Sequence, residues 1–110
     1  MKVYNKLVRD KIPEIIKTEN KKVYSCTLEG ENYQKMLKTK LIEESRELMK
    51  AKTKDEMIEE LADISEVLDA IYKLFEINSI DVDLIKHKKA QEKGTFETGT
   101  YLMCVEEGND

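Results

Sequence analysis

Four carboxylates stand out by their spacing: Glu44 and Glu47, then twelve residues, then Glu60 and Asp63. Each pair is spaced i,i+3, which on a helix puts both side chains on one face, roughly 5–6 Å apart at Cβ. Their apolar neighbours are as informative. On the first helix the ridge runs Leu37, Leu41, Glu44, Leu48, and on the second it runs Glu60, Asp63, Val67, Ala70, Leu74. The acids therefore continue the stripes through which two helices would pack, and the packing would bring the four groups to one seam. Unpaired buried charge is costly, and like charges side by side are worse, so the seam calls for a cation. Oxygen donors without thiol or imidazole suit Mg²⁺, with Mn²⁺ as the alternative.

The elements that must position these acids can be read from periodicity and punctuation. Pro13 suits the first turn of a short helix over residues 13–19, with Ile12, Ile15 and Ile16 facing inward. Residues 22–28, KVYSCTL, are rich in β-formers and predict a strand. A long amphipathic helix follows over 31–50. Thr53 and Glu56 form a capping box that opens a second long helix over 54–77, with Leu61, Ile64, Leu68, Ile71 and Phe75 along its buried side. The connection is so short that the two helices must be antiparallel neighbours. Ser79 or Asp81 caps a further helix, which stops near Gly94. Residues 98–105 predict a second strand, paired with 22–28. The expected fold is mainly α: two long antiparallel helices, shorter helices and a small two-stranded sheet, in one domain.

The bulk numbers narrow the function. With 110 residues, 40% hydrophobic and 38% charged, the chain fits one soluble domain. A net charge of −4 argues against a nucleic-acid partner held by phosphate neutralisation. The basic clusters Lys6, Arg9, Lys11 and Lys86, Lys88, Lys89, Lys93 read instead as local phosphate contacts. No membrane-length apolar run or apolar leader is visible, so no membrane partner and a cytoplasmic location are expected. Cys26 and Cys104 make neither a disulfide framework nor a zinc site, and read as small buried side chains. His87, the one histidine, has Leu84 at i−3, which excludes an E-x-x-H di-iron ligand. P-loop, serine-hydrolase and zincin motifs do not occur. The plain alternative for the acids is a solvated helix face, with pairs such as Glu44–Lys40 and Glu47–Lys50.

E-x-x-E, a dozen residues and E-x-x-D on adjacent helices resemble the MazG-type all-α nucleoside triphosphate pyrophosphohydrolases. That superfamily includes phosphoribosyl-ATP pyrophosphohydrolase and the dimeric dUTPases. The stretch from Tyr4 to Ile16, YNKLVRDKIPEII, resembles the opening of its small phosphoribosyl-ATP pyrophosphohydrolase-like branch. Lys88-Lys89 and Lys93-Gly94-Thr95-Phe96 resemble the same branch's later segment, with Thr95 where a second glycine is expected and Lys93 where arginine is. The likeness spans residues 4–104.

The resemblance implies that Glu44, Glu47, Glu60 and Asp63 hold Mg²⁺, directly or through water, and carry the catalysis. It implies hydrolysis of a nucleotide between the α and β phosphates, giving the monophosphate and pyrophosphate, in a house-cleaning role. Lys6, Arg9, Lys11, Lys89 and Lys93 become candidates for phosphate oxygens, and Asn5 for the base pocket. Because one acidic helix pair is thin for a monomer, a homodimer or larger homo-oligomer is expected to complete the bundle. The rival reading is a non-catalytic metal and nucleotide sensor or adaptor of the same fold.

Overall fold

The computed structural model describes residues 1–108 and contains four helices, α1 Ile12–Lys17, α2 Gly30–Lys50, α3 Lys54–Leu74 and α4 Ser79–Lys93. They fall into two units, Met1–Ile77 with α1 to α3, and a second beginning at Asn78 with α4.

In the first unit α2 and α3 form the expected antiparallel hairpin. Ala51 breaks α2 by turning extended at ψ 131°, and Thr53 restarts the chain as N-cap of α3. The Thr53 hydroxyl accepts from the Glu56 backbone N–H at 3.1 Å, while the Glu56 carboxylate accepts from the Lys52 N–H at 2.8 Å. The box is thus displaced by one residue: Glu56 ties down the loop rather than the cap's own N–H. Thr53→Ala is expected to cost about 1 kcal/mol of stability, measurable by urea denaturation.

At its far end α3 stops at Leu74, three residues earlier than periodicity indicated. Glu76 takes a left-handed φ of 55°, and the Ile77 N–H closes onto the Tyr72 carbonyl at 2.8 Å. That six-residue closure is the Schellman pattern, made here without glycine. Lys38, in the first half of α2, lies 5.1 Å from the Phe75 ring centre and joins that helix to the C-terminal end of α3.

The core is small. Among the described residues only Leu37 on α2 and Val67 on α3 are buried hydrophobics. Ile64, Leu68, Ile71 and Phe75 are half-buried, and Leu61 is 50% exposed. The helix rotates so that the Glu60–Asp63–Val67 ridge meets α2, leaving the Leu61 flank open. α1 begins with Pro13 in its first turn and buries nothing fully; Ile15 faces solvent.

The predicted two-stranded sheet is corrected: the fold is all-α, and no strand forms among the described residues. Residues 22–28 and 98–105 are irregular and mostly exposed, and Cys26 and Cys104 are exposed free thiols rather than buried ones. β-propensity expresses packing on a half-buried pleated surface, and an isolated two-stranded pair is unstable without one. In the second unit α4 is capped by Asn78, whose side chain accepts from the Ile80 N–H at 3.0 Å, not by Ser79 or Asp81. Gly94 ends it at φ 84°, as its position suggested. Among the described residues no helix is long and apolar enough to cross a membrane.

Candidate active site

The antiparallel hairpin brings together acids that the sequence keeps apart. Carboxylate oxygens of Glu44, from α2, and of Glu60 and Asp63, from α3, lie within 4.8 Å of one another. All three residues are half-buried. Glu44 is held by Lys40, whose Nζ sits 3.3 Å from its Oε1 and 3.1 Å from the Oε2 of Glu43. Asp63 accepts from the Arg9 guanidinium at 2.8 Å. Glu60 has no such partner: its Oε2 is sealed from solvent and makes no hydrogen bond.

Two cations therefore serve three carboxylates, and Glu60 bears the shortfall. Burial pushes its carboxyl above the ordinary range. Hydrogen bonding to Glu44 adds to the shift, as does repulsion from Glu44, Asp63 and Glu47. The hydrogen bond exists only while a proton is present, because two ionised carboxylates offer acceptors alone. A divalent cation would satisfy the same atom, and hard oxygens at this separation are the donor set it requires. The residues present fit such an ion.

Glu47 lies outside the three-carboxylate group. It is exposed, pairs with Lys50 at 3.7 Å, and lines an open recess with Lys50, Ala51, Glu56 and Glu60. Its charge is still felt at Glu60. Both ordinary helix pairs, Lys40–Glu44 and Lys50–Glu47, are formed, but the first belongs to the clustered acids instead of a solvated face.

Of the basic candidates in the first unit, Arg9 alone is placed against the acids. Its guanidinium is held as a cation chiefly by the hydrogen bond to Asp63, with Glu66 and Glu44 adding to the field. Lys6 stands 5.8 Å from the Tyr4 ring, and Asn5 is exposed at φ 48°. Lys11 is the exposed N-cap residue of α1. Lys89 and Lys93 are exposed on α4 of the second unit. The direct Arg9–Asp63 pair is what sequence reasoning missed. Arg9 read as a phosphate ligand, and nothing in local spacing links residues 54 positions apart.

A family model for phosphoribosyl-ATP pyrophosphohydrolase matches residues 5–90. The chain belongs to the phosphoribosyl-ATP pyrophosphohydrolase family. The match takes in every acid of the cluster, Arg9 and the whole α2–α3 hairpin, and it places the chain in the MazG-like all-α superfamily. Membership supports a pyrophosphohydrolase acting on a nucleotide. No curated protein and no solved structure matches the chain.

Proposed function

We propose that this member of the phosphoribosyl-ATP pyrophosphohydrolase family hydrolyses a nucleoside triphosphate, or a related nucleotide, between the α and β phosphates. The products are the monophosphate and pyrophosphate, and the reaction depends on Mg²⁺, with Mn²⁺ as substitute. The observation that carries this reading is the convergence of Glu44, Glu60 and Asp63 around an orphaned Glu60 oxygen. Glu44, Glu60 and Asp63 would hold the ion, with Glu47 as a further ligand, directly or through water.

When bound, the cation neutralises charge developing on the phosphates and activates the attacking water. The chain's own groups do the rest. Glu47, exposed and lining the recess with Glu60, would take a proton from that water. Arg9, Lys6 and Lys11 would bind phosphate oxygens, and Asn5 would contribute to the base pocket; Lys89 and Lys93 on α4 are the phosphate-binding candidates of the second unit. The nucleotide is the working partner, and the role is clearance of unwanted triphosphates, ranked above phosphoribosyl-ATP itself. Exposed thiols at Cys26 and Cys104 suit a reducing cytoplasm.

Pyrophosphate release from a panel of ribo-, deoxy- and damaged triphosphates, with phosphoribosyl-ATP included, with and without Mg²⁺, tests the proposal. Turnover with Mg²⁺ alone supports it; nucleotide binding without turnover would leave the sensor reading. Glu47→Gln is expected to lower kcat by about 10²–10³-fold while Mn²⁺ affinity changes little. A matching loss of Mn²⁺ affinity would make Glu47 a ligand first and a base second.

The assembly is part of the proposal. Ile42 and Met49, two turns apart on α2, and Met57 and Leu61, one turn apart on α3, are all exposed. These apolar stripes on the hairpin support at least a homodimer whose facing helices complete the bundle.

A further inference from the structure

We propose that Arg9 is a resident counter-ion: a divalent cation takes its place against Asp63 and frees the guanidinium for a phosphate oxygen of the incoming nucleotide. The inference rests on the metal reading above and goes beyond it by coupling metal entry to the N-terminal segment.

Competition for Asp63 points this way. Glu44 is paired with Lys40 and Asp63 with Arg9, while Glu60 has no cationic partner. The Asp63 carboxylate that accepts from Arg9 at 2.8 Å is also one of the three whose oxygens converge within 4.8 Å. A divalent cation held by those three would repel the guanidinium and compete with it for the same carboxylate. Lys40 is the poorer candidate for release because its side chain is only 18% exposed and bridges Glu43 as well as Glu44.

Arg9 is built to leave. Its side chain is 57% exposed against 38% for Asp63, so the pair is open to solvent, and exposed pairs of this kind are weak. Residues 1–9 form no helix or strand, and only Leu7 among them is even half-buried. Among the described residues, Arg9–Asp63 is the one ion pair joining positions distant in the chain. Breaking it therefore releases a segment that also carries Asn5 and Lys6.

The test uses the full chain without nucleotide, with Mn²⁺ as probe followed by isothermal titration. Arg9→Gln removes the competitor and is expected to tighten Mn²⁺ binding about three- to tenfold, and Arg9→Lys to fall between it and the wild type. Lys11→Ala makes the same change in net charge away from Asp63 and is expected to alter affinity by less than about twofold. In the wild-type protein the ¹⁵Nε resonance of Arg9 should move toward that of free arginine as Mg²⁺ is added, with the midpoint of metal binding. This readout needs no variant to fold. Equal or weaker Mn²⁺ binding by Arg9→Gln, an equal gain in Lys11→Ala, or an unmoved resonance at saturating Mg²⁺ would overturn the exchange while leaving the metal site standing. A wild-type protein that takes up no Mn²⁺ would overturn both.

Discussion

Glu60→Gln is expected to make the metal-free protein more stable and the enzyme inactive. The sign of the first effect follows from proton linkage. The Glu60 carboxyl is raised above its ordinary value, first by burial, then by the hydrogen bond to Glu44 and by repulsion from its acidic neighbours. Between the ordinary and the raised value the folded chain binds more protons than the unfolded one. Its stability therefore increases as pH falls through the raised value and declines as pH climbs through it. The glutamine amide mimics the protonated form at every pH and donates where the carboxylate can only repel. In chelator, the wild-type Tm should decline as pH climbs above the ordinary glutamate range, and the Gln variant should lack that part of the slope. With Mg²⁺ the order reverses. A wild-type protein at a metal concentration a hundredfold above Kd should gain on the order of 10 °C in Tm, and the variant little. Loss of several kcal/mol of charge stabilisation at the phosphates corresponds to a fall in kcat of about 10²–10³-fold. A variant that hydrolyses nucleotide normally, or a wild-type Tm indifferent to Mg²⁺, would contradict the assignment.

The hairpin and its acids were legible because every level of the sequence agreed on them. The i,i+3 pairs, the apolar ridges they extend and the short Thr53-containing connection all demanded antiparallel helices meeting along one seam. Glu44, Glu60 and Asp63 meet there. Glu47 has the same spacing but follows Glu44 by three positions on a helix that turns it outward, toward Lys50; the i,i+3 rule gives a shared face and does not say how deep each member sits. The helix ends were less legible. Glu76 adopts a left-handed conformation that glycine or asparagine usually signals, and Asn78 outcompetes Ser79 as a cap by reaching the Ile80 N–H. The sheet failed for a different reason. Val23, Tyr24 and Thr27 carry β-propensity, but propensity becomes structure only against a surface that buries alternate side chains, and that segment is largely exposed. The Arg9–Asp63 pair depends on tertiary placement alone and has no local signature.

Leu61→Asp is expected to dissociate the assembly and remove activity with it. A hairpin that buries only Leu37 and Val67 among the described hydrophobics has too little core to offset the entropy of ordering its chain. In the proposed dimer the missing burial comes from the stripes left open, and Leu61, 50% exposed one turn from Met57, sits within the α3 stripe. Full burial of a leucine is worth about 1.5–3 kcal/mol. In a two-fold interface each substitution acts twice, so even Leu61→Ala should weaken dimerisation by roughly 10²–10⁴-fold. Aspartate adds an unpaired buried charge to that loss. Sedimentation across protein concentration reads the assembly directly, and helicity by circular dichroism should fall with it, because separated hairpins have no second source of burial. Leu61 lies beside Glu60, so the two effects must be told apart. Leu61→Met preserves volume and should retain both assembly and turnover, whereas a defect transmitted through Glu60 would lower turnover in a protein still assembled. A wild-type chain that sediments as a stable, fully helical monomer would remove the basis for the interface.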